Sequence, residues 1–425
     1  MIEINDQKQY VNPGVLPSFF KDVEIIGPAH LEIPKYRESH ANITEGKVNF
    51  DYTAKDSPGL LATKEVRKTY QTSDYKKIKE MQKIAAADIL PLRENLKQHG
   101  DQAWIKVEKD GKQFYMCWTQ KASMWAFPEN VKKISTPNGE TKYLHVVQFG
   151  TYSASTGIAG IQAYNLEADV LLEASAISLL VAIAMAGLVN SAVGYTISVL
   201  SLLLVEAAAK LGIEEAAFMV PVGVASAVTL VILSIIVVVV FIGIIQLYNF
   251  IHKEYYVNLQ IYNWDAKNDW DIIRQSEGNA TIPSDKPDED TKNLSIKLKK
   301  LNEVIPPPGF TPIEPLDCTC SYATVIWTNV NKWLEGLSVA LQFQKNKGEF
   351  IWAFNCPFVA NNQQKAEDAM LTSEGLDNYR VYPNWNPHPL DFQIITYDGT
   401  PISCSMDALS GDSNNLYNAV INIGK

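Results

Sequence analysis

The chain lacks the composition of a nucleic-acid-binding protein and that of a small disulfide-bonded one. It carries 37 Lys and Arg against 47 Asp and Glu, a formal net charge of -10, so no concentrated basic surface is available for a phosphate backbone. Its 5 cysteines are scattered and odd in number, which excludes a dense disulfide framework. We therefore expect no nucleic-acid partner.

Recognisable catalytic, cofactor and metal motifs are also absent. The sequence contains no glycine-rich phosphate loop, no nucleophile elbow and no dinucleotide fingerprint. Its 6 histidines never fall at the spacing that places two metal ligands on one helix face. We therefore expect no catalytic residues, no metal site and no cofactor, and we predict that the protein is not an enzyme.

The amino terminus lacks the pattern of a secretory signal. It begins with acidic and polar residues, without a basic start, an apolar core and a small-residue cleavage site. We expect a protein that is produced in soluble form without a standard signal peptide and that acts at a target cell membrane. The alternative localisation is that of an integral membrane protein.

Two long uncharged stretches dominate the middle of the chain. Ala174–Val205 holds 32 residues and Ala216–Ile251 holds 36 residues without Asp, Glu, Lys or Arg. About 20 helical residues cross the apolar core of a bilayer, so each stretch is long enough to do so. Because unbroken apolar runs of this length are typical of membrane helices, the sequence predicts a hydrophobic helical hairpin over residues 161–254.

The two stretches differ in texture. The first has small or weakly polar residues at every fourth position, which lets another helix approach closely and predicts packing between protomers. The second is rich in β-branched residues, but it is far too long for a buried strand. The predicted membrane-inserting positions are Ala174, Ser178, Ala182, Ala186, Asn190, Gly194 and Ser198 in the first stretch and Val231, Val238 and Ile245 in the second.

Charged residues lie at the ends and at the tip of the predicted hairpin. Glu206, Glu214 and Glu215 at the tip oppose transfer into a bilayer when they are ionised, and protonation lowers that barrier. We therefore predict a pH-sensing tip. Gly157 and Gly160 precede the hairpin and predict a hinge from which it swings out.

Mixed patterns flank the hydrophobic middle. From Ser73 to Leu96 apolar residues recur at three- and four-residue intervals, which predicts one long amphipathic helix. The Asp-Gly pair at residues 110–111 lies between alternating runs and predicts a hairpin. After residue 255, short strands with glycine-containing turns predict an antiparallel β-sandwich.

Together these patterns predict an α+β protein with three regions. A mixed N-terminal region with a long helix spans residues 1–160, the hydrophobic helical hairpin spans 161–254, and a β-rich recognition domain spans 255–425. Most aromatic residues of the last region fit a sandwich core. The exceptions are Tyr382, Trp385 and His388, which lie in a proline-rich loop and are the predicted contacts for a lipid or a glycan.

This organisation resembles α-helical pore-forming toxins, bacterial cytolysins and insecticidal proteins among them. The resemblance rests on the hairpin at 170–251 and on the β-like tail. It implies a soluble protein that recognises a lipid membrane, inserts the hairpin and forms a homo-oligomeric pore, with a glycan or lipid as receptor. Weak positive charge beside the hairpin favours such conditional insertion over permanent residence in a membrane.

Three alternatives stay open at this point. The first is a constitutive two-span membrane protein, such as an adaptor or a secretion component. The second is a self-assembling storage or structural protein. The third is a hairpin that stays buried in a water-soluble fold, which needs other elements to cover it on every side.

Overall fold

The computed structural model describes residues 14–28, 50–54, 59–72, 74–99, 103–135, 139, 141–168, 255–281, 296–300, 306–330, 336–357, 359–410 and 416–424. Strands predominate in this part of the chain. Those before residue 169 are β1 (Glu24–Pro28), β2 (Phe50–Ala54), β3 (Gly59–Ala62), β4 (Ile105–Lys109), β5 (Lys112–Trp118), β6 (Ala122–Ser135), β7 (Thr141–Ser153) and β8 (Ile158–Ala168).

Eleven further strands follow residue 254. They are β9 (Tyr256–Asn263), β10 (Trp270–Gly278), β11 (Ala280–Thr281), β12 (Ile296–Leu298), β13 (Asp317–Asn329), β14 (Leu337–Lys345), β15 (Gly348–Cys356), β16 (Gln363–Glu367), β17 (Asp391–Ile395), β18 (Pro401–Met406) and β19 (Leu416–Ile423).

Three helices accompany these strands in the described residues: α1 (Lys64–Gln71), α2 (Tyr75–His99) and α3 (Ser373–Val381). The start of α2 is capped by Asp74, whose carboxylate accepts a hydrogen bond from the Lys77 backbone N–H. Helix α2 lies where the apolar pattern predicted a helix. Its buried face includes four of the positions that set that pattern, Ile78, Ala85, Ile89 and Leu92.

The larger sheet has 14 strands, twelve of them in the order β1-β4-β5-β6-β7-β8-β3-β13-β9-β19-β18-β17. In addition, β2 pairs with β8 and β11 pairs with β13. The pair of β3 and β13, in register at Leu61 and Cys318, joins the N-terminal strands to the C-terminal ones. The sheet therefore runs through both regions that flank the hydrophobic middle.

The smaller sheet has 5 strands in the order β12-β10-β14-β15-β16 and packs against the C-terminal part of the larger sheet. The two sheets enclose one apolar core, so this part of the chain is a sandwich. Buried tryptophans explain much of the aromatic content: Trp270 and Trp352 come from the smaller sheet and Trp327 from the larger one. One neighbouring pair, β9 and β19, is parallel rather than antiparallel.

The predicted α+β class with a central helical hairpin is wrong, because the fold is predominantly β. Residues 161–168 were assigned to the hairpin but belong to β8. This strand is hydrogen-bonded on both edges, to β7 on one side and to β2 and β3 on the other, and such pairing fixes an extended backbone. The rest of the predicted hairpin lies outside the described residues.

The resemblance to α-helical pore-forming toxins is wrong for the same reason, since such proteins are built around helices and this fold is built from sheets. The expected transmembrane helix is not found either. In the ranges given above, none of the helices is both long and apolar enough to cross a bilayer.

Candidate functional site

Strands β8 and β9 hold the two ends of the 169–254 segment, and both ends lie toward the same end of the larger sheet. Strands β8 and β13 each run antiparallel to β3, and β9 runs antiparallel to β13. Ala168 is the last residue of β8 and Tyr256 is the first residue of β9. These two residues therefore lie at the same end of the larger sheet. We call this end of the fold the exit end.

The strand register supports this placement. Gly59 of β3 pairs with both Ile161 of β8 and Ser321 of β13. Seven residues further along, these strands reach Ala168 and Thr328, and Thr328 is paired with the first residue of β9. Ala168 and Tyr256, the strand residues that flank the 169–254 segment, therefore lie at one level, on strands separated by β3 and β13.

Exposed apolar side chains lie in the loops at the exit end. Val330 follows β13, and its backbone N–H donates to Asn279, which in turn contacts the start of β14. Val359 follows β15 and is 91% exposed. Val381 and Tyr382, the latter 61% exposed, lie at the end of α3. Apolar groups left in water beside the origin of an uncharged segment are typical of an interaction surface.

A buried lysine lies among three aromatic rings on the outer face of the smaller sheet. Lys365 of β16 is only 3% exposed. Its Nζ lies 4.1 Å from the ring centroid of Tyr379, 4.5 Å from that of Trp385 and 5.9 Å from that of Tyr382. We call these three residues the aromatic cage. Their π-faces attract the ammonium group, and the attraction grows when water is excluded.

The ammonium group of Lys365 also has two hydrogen-bond acceptors. Its Nζ donates to the backbone oxygen of Tyr382 at 2.7 Å and to Oδ1 of Asn384 at 3.2 Å. Burial lowers the pKa of Lys365 to about 8, and the charge of Glu367 opposes this shift. Lys365 is therefore mostly protonated at neutral pH, despite its burial.

Helix α3 positions the aromatic cage. Its Arg380 donates hydrogen bonds to Ser276 at 2.8 Å and to Ser338 at 2.7 Å, which ties the end of the helix to β10 and β14. Gly278 leaves room for this guanidinium group, because a Cβ there would lie 1.9 Å from Arg380 Nη1. The helix is thus fixed so that Tyr379 and the loop after it cover Lys365.

A second buried lysine lies at the opposite end of the sandwich. Lys345 Nζ lies 2.6 Å from Asp398 and 3.5 Å from Asp265, and 4.7 Å from the ring centroid of Trp270. Although burial by itself raises the pKa of Asp398, its hydrogen bonds and the charge of Lys345 lower that pKa to about 2. The charge of this lysine is thus balanced by two carboxylates.

One half-buried carboxyl connects the two sheets close to the exit end. Nε1 of Trp327 in β13 donates to Oε1 of Glu277 in β10 at 2.8 Å. Burial raises the pKa of Glu277 to about 7, against the opposing effects of the Trp327 hydrogen bond and the Arg380 charge. Glu277 therefore changes its charge near neutral pH.

The structure brings together only some of the predicted site residues. Tyr382 and Trp385 belong to the aromatic cage, whereas His388 lies exposed further along the loop, where its backbone N–H donates to Asn386. Sequence reasoning missed Lys365 and Tyr379. Lys365 lies in β16, 14 residues before Tyr379 in α3, and no local pattern in the sequence indicates that these two elements meet.

The two predicted hinge glycines lie at the start of β8. Gly157 has a φ of +63° in the turn between β7 and β8. Gly160 lies inside β8, paired with Leu60 on one side and Thr151 on the other. Both lie at the end of β8 that is distant from Ala168. The ten predicted inserting positions and the acidic tip of Glu206, Glu214 and Glu215 lie outside the described residues.

Metal-ligating side chains do not cluster in the part of the chain that the structure describes, where no group of three His, Cys, Asp or Glu residues is placed to hold an ion. Four cysteines of this part are buried free thiols: Cys117, Cys320, Cys356 and Cys404. Burial raises the pKa of Cys356 to about 12, so this thiol stays protonated and unreactive at neutral pH.

Comparison with known proteins identifies no family. No protein-family model matches the chain, and no curated protein matches it. Among solved structures, the chain is similar to IP-1A from Alcaligenes faecalis, with a TM-score of 0.21, 8% identity, and coverage of 41% of this chain and 94% of that one. It is also similar to the RahU protein, solved in complex with a TRIS molecule, with a TM-score of 0.22, 9% identity, and coverage of 40% of this chain and 95% of that one. At these TM-scores the similarities support no conclusion about fold or function.

Proposed function

We propose that this protein acts on membranes: the segment at 169–254 enters a target bilayer, and several copies assemble to open a pore. The observation that carries the proposal is the pair of uncharged stretches of 32 and 36 residues between Ala168 and Tyr256. Each stretch exceeds the length needed to cross an apolar bilayer core. Transferring so much apolar surface from water into lipid is strongly favourable.

The geometry of the described residues supports this proposal in two ways. The segment starts and finishes at the exit end, so it can leave the sandwich without unpairing β8 or β9. Exposed Val359 and Tyr382 lie at the same end, where apolar and amphipathic side chains suit a lipid surface. The sandwich then serves as the platform that stays outside the bilayer.

Release of an encapsulated dye from liposomes tests the proposal, with protein purified in the absence of detergent. Val238→Asp and Ala186→Asp each place a charge within one uncharged stretch. A carboxylate at the centre of a bilayer costs about 3 kcal/mol on insertion scales, so each variant is expected to release dye at least about tenfold more slowly than the wild type. The matched control is Val15→Asp, which makes the same change on an exposed side chain.

Three outcomes contradict the proposal. The first is that Val238→Asp and Ala186→Asp both release dye as fast as the wild type. The wild-type protein can require detergent throughout purification, which favours a constitutive membrane protein. It can also form ordered assemblies that never permeabilise liposomes, which favours a storage or structural role.

A further inference from the structure

The two buried lysines of the sandwich differ in how their charge is balanced. Lys345 lies within 4.0 Å of both Asp265 and Asp398. Lys365 is equally buried, but across the described ranges it forms no salt bridge with a carboxylate. Charged groups removed from water are normally paired, because the lost hydration must be replaced. The groups in contact with the Lys365 ammonium are therefore rings and neutral oxygens, while the charge of the exposed Glu367, two residues further along β16, acts on it from beyond salt-bridge distance.

The surroundings of Lys365 are rich in hydrogen-bond donors. The ammonium group of Lys365 has three N–H donors. It donates to two acceptors, the Tyr382 carbonyl oxygen and Asn384 Oδ1. The buried hydroxyl of Tyr379, whose ring contacts this ammonium group, has no hydrogen-bond partner among the described residues. A remaining ammonium N–H and a free hydroxyl donor, with no carboxylate in contact, suit an anion that carries several oxygens.

Access to this site runs through the loop after α3. Asn384 is exposed, and its Oδ1 occupies one of the acceptor positions around Lys365. A rotation of this side chain would make that position available to an oxygen of a bound anion. Tyr382 is 61% exposed and lies at the exit end, so an anion entering here comes from the side on which Ala168 and Tyr256 lie.

We propose that Lys365, with the aromatic cage around it, binds the phosphate group of a lipid headgroup. This inference rests on the proposed membrane action, since it assigns the exit end to a lipid surface. A phosphate oxygen takes the place of Asn384 Oδ1 on the ammonium group, and the Tyr379 hydroxyl is a second donor to the same anion. The exposed ring of Tyr382 then lies among the headgroups.

Lys365→Met is the variant that tests the site. It removes a charge without stranding a partner carboxylate, so we expect it to fold, and its thermal unfolding checks this. Calorimetric titration with inorganic phosphate and co-flotation with phosphatidylglycerol vesicles measure binding. Because charge-assisted hydrogen bonds are lost, Lys365→Met is expected to bind both at least about tenfold more weakly. The matched control, Lys347→Met, removes an exposed lysine and is expected to bind like the wild type.

Asn384→Asp is a second, independent variant. It places a carboxylate beside Lys365 in an almost identical shape, so the internal anion competes with the ligand. We expect weaker binding of phosphate and vesicles. The variant also loses the 3.5 Å hydrogen bond from Asn384 Nδ2 to Glu367, so thermal unfolding is measured to check that it is folded. Unchanged binding by Lys365→Met or by Asn384→Asp overturns the proposal.

The choice of vesicles identifies the source of the phosphate. Binding to phosphatidylglycerol vesicles but not to vesicles of a galactolipid, which lacks phosphate, supports a lipid headgroup. Binding of inorganic phosphate without binding of any vesicle contradicts it. Flotation does not require insertion, so the Val238→Asp variant is expected to float like the wild type while it releases dye at least about tenfold more slowly. Failure of headgroup binding and failure of insertion are therefore separate results.

Discussion

Replacing Glu277 by Gln tests how the sandwich responds to pH. In the wild type, Trp327 Nε1 donates a hydrogen bond to the Glu277 carboxyl at 2.8 Å. The Gln side chain keeps an oxygen that accepts this hydrogen bond. The substitution removes the charge that Glu277 carries when ionised. Burial raises the pKa of this carboxyl to about 7, from an ordinary value of 4.5. The folded protein therefore keeps a proton on Glu277 over a range of pH in which the unfolded chain has lost it.

The size of the effect follows from this difference in pKa. The stabilisation from the raised pKa is fully present below pH 4.5 and is lost as the pH rises through about 7. At about 1.4 kcal/mol for each pH unit, the difference from 4.5 to about 7 corresponds to about 3 kcal/mol. The Gln variant has no charge to bury, so it should be about 3 kcal/mol more stable than the wild type at about pH 8.

Thermal unfolding measured over a series of pH values checks this prediction. At about pH 8 the variant should melt about 3 to 5 °C higher than the wild type, and the two curves should converge as the pH falls to about 4.5. Glu314→Gln is the control, because it removes an exposed carboxyl and should shift neither curve. Equal melting temperatures for the wild type and Glu277→Gln at about pH 8 would refute the reasoning.

Two other predictions concern charge at the opposite end of the fold and in the predicted tip. Lys345→Met leaves Asp265 and Asp398 without their cation, so it should lower the free energy of unfolding by about 3 to 5 kcal/mol in a urea titration. A variant as stable as the wild type would contradict the pairing. Replacing Glu206, Glu214 and Glu215 by Gln should make dye release at about pH 7.5 as fast as at about pH 5, and a variant that keeps the wild-type pH dependence would exclude a pH-sensing tip.

Local sequence patterns were sufficient where short-range forces decide the structure. The Asp-Gly pair at residues 110–111 predicted a hairpin, and both residues take positive φ values, 51° and 76°, between β4 and β5. The apolar spacing after Ser73 predicted a helix, and the corresponding positions of α2 are buried against the rest of the fold. In both cases the residues that determine the structure are near neighbours in the chain.

The same local patterns could not predict which strands pair when they are far apart in the chain. Nothing in the local sequence of β3 indicates that it pairs with β13, more than 250 residues later, or that β19 lies parallel to β9. The error at residues 161–168 has this origin, because the start of the hairpin was placed without knowledge of the pairing of this segment with β7, β2 and β3. The site at Lys365 was missed because β16 and α3 supply different parts of it.

The pKa of Glu277 limits where an acid trigger can act. Acidification protonates this carboxyl and stabilises the sandwich, so loosening of the sandwich through Glu277 is not a route by which low pH promotes membrane insertion. Protonation of carboxylates at the predicted tip acts in the opposite direction, because it lowers the cost of moving them into lipid. If acid-dependent insertion survives in Glu277→Gln, its trigger therefore lies outside the Glu277 carboxyl. If this single substitution abolishes it, the trigger lies in the sandwich.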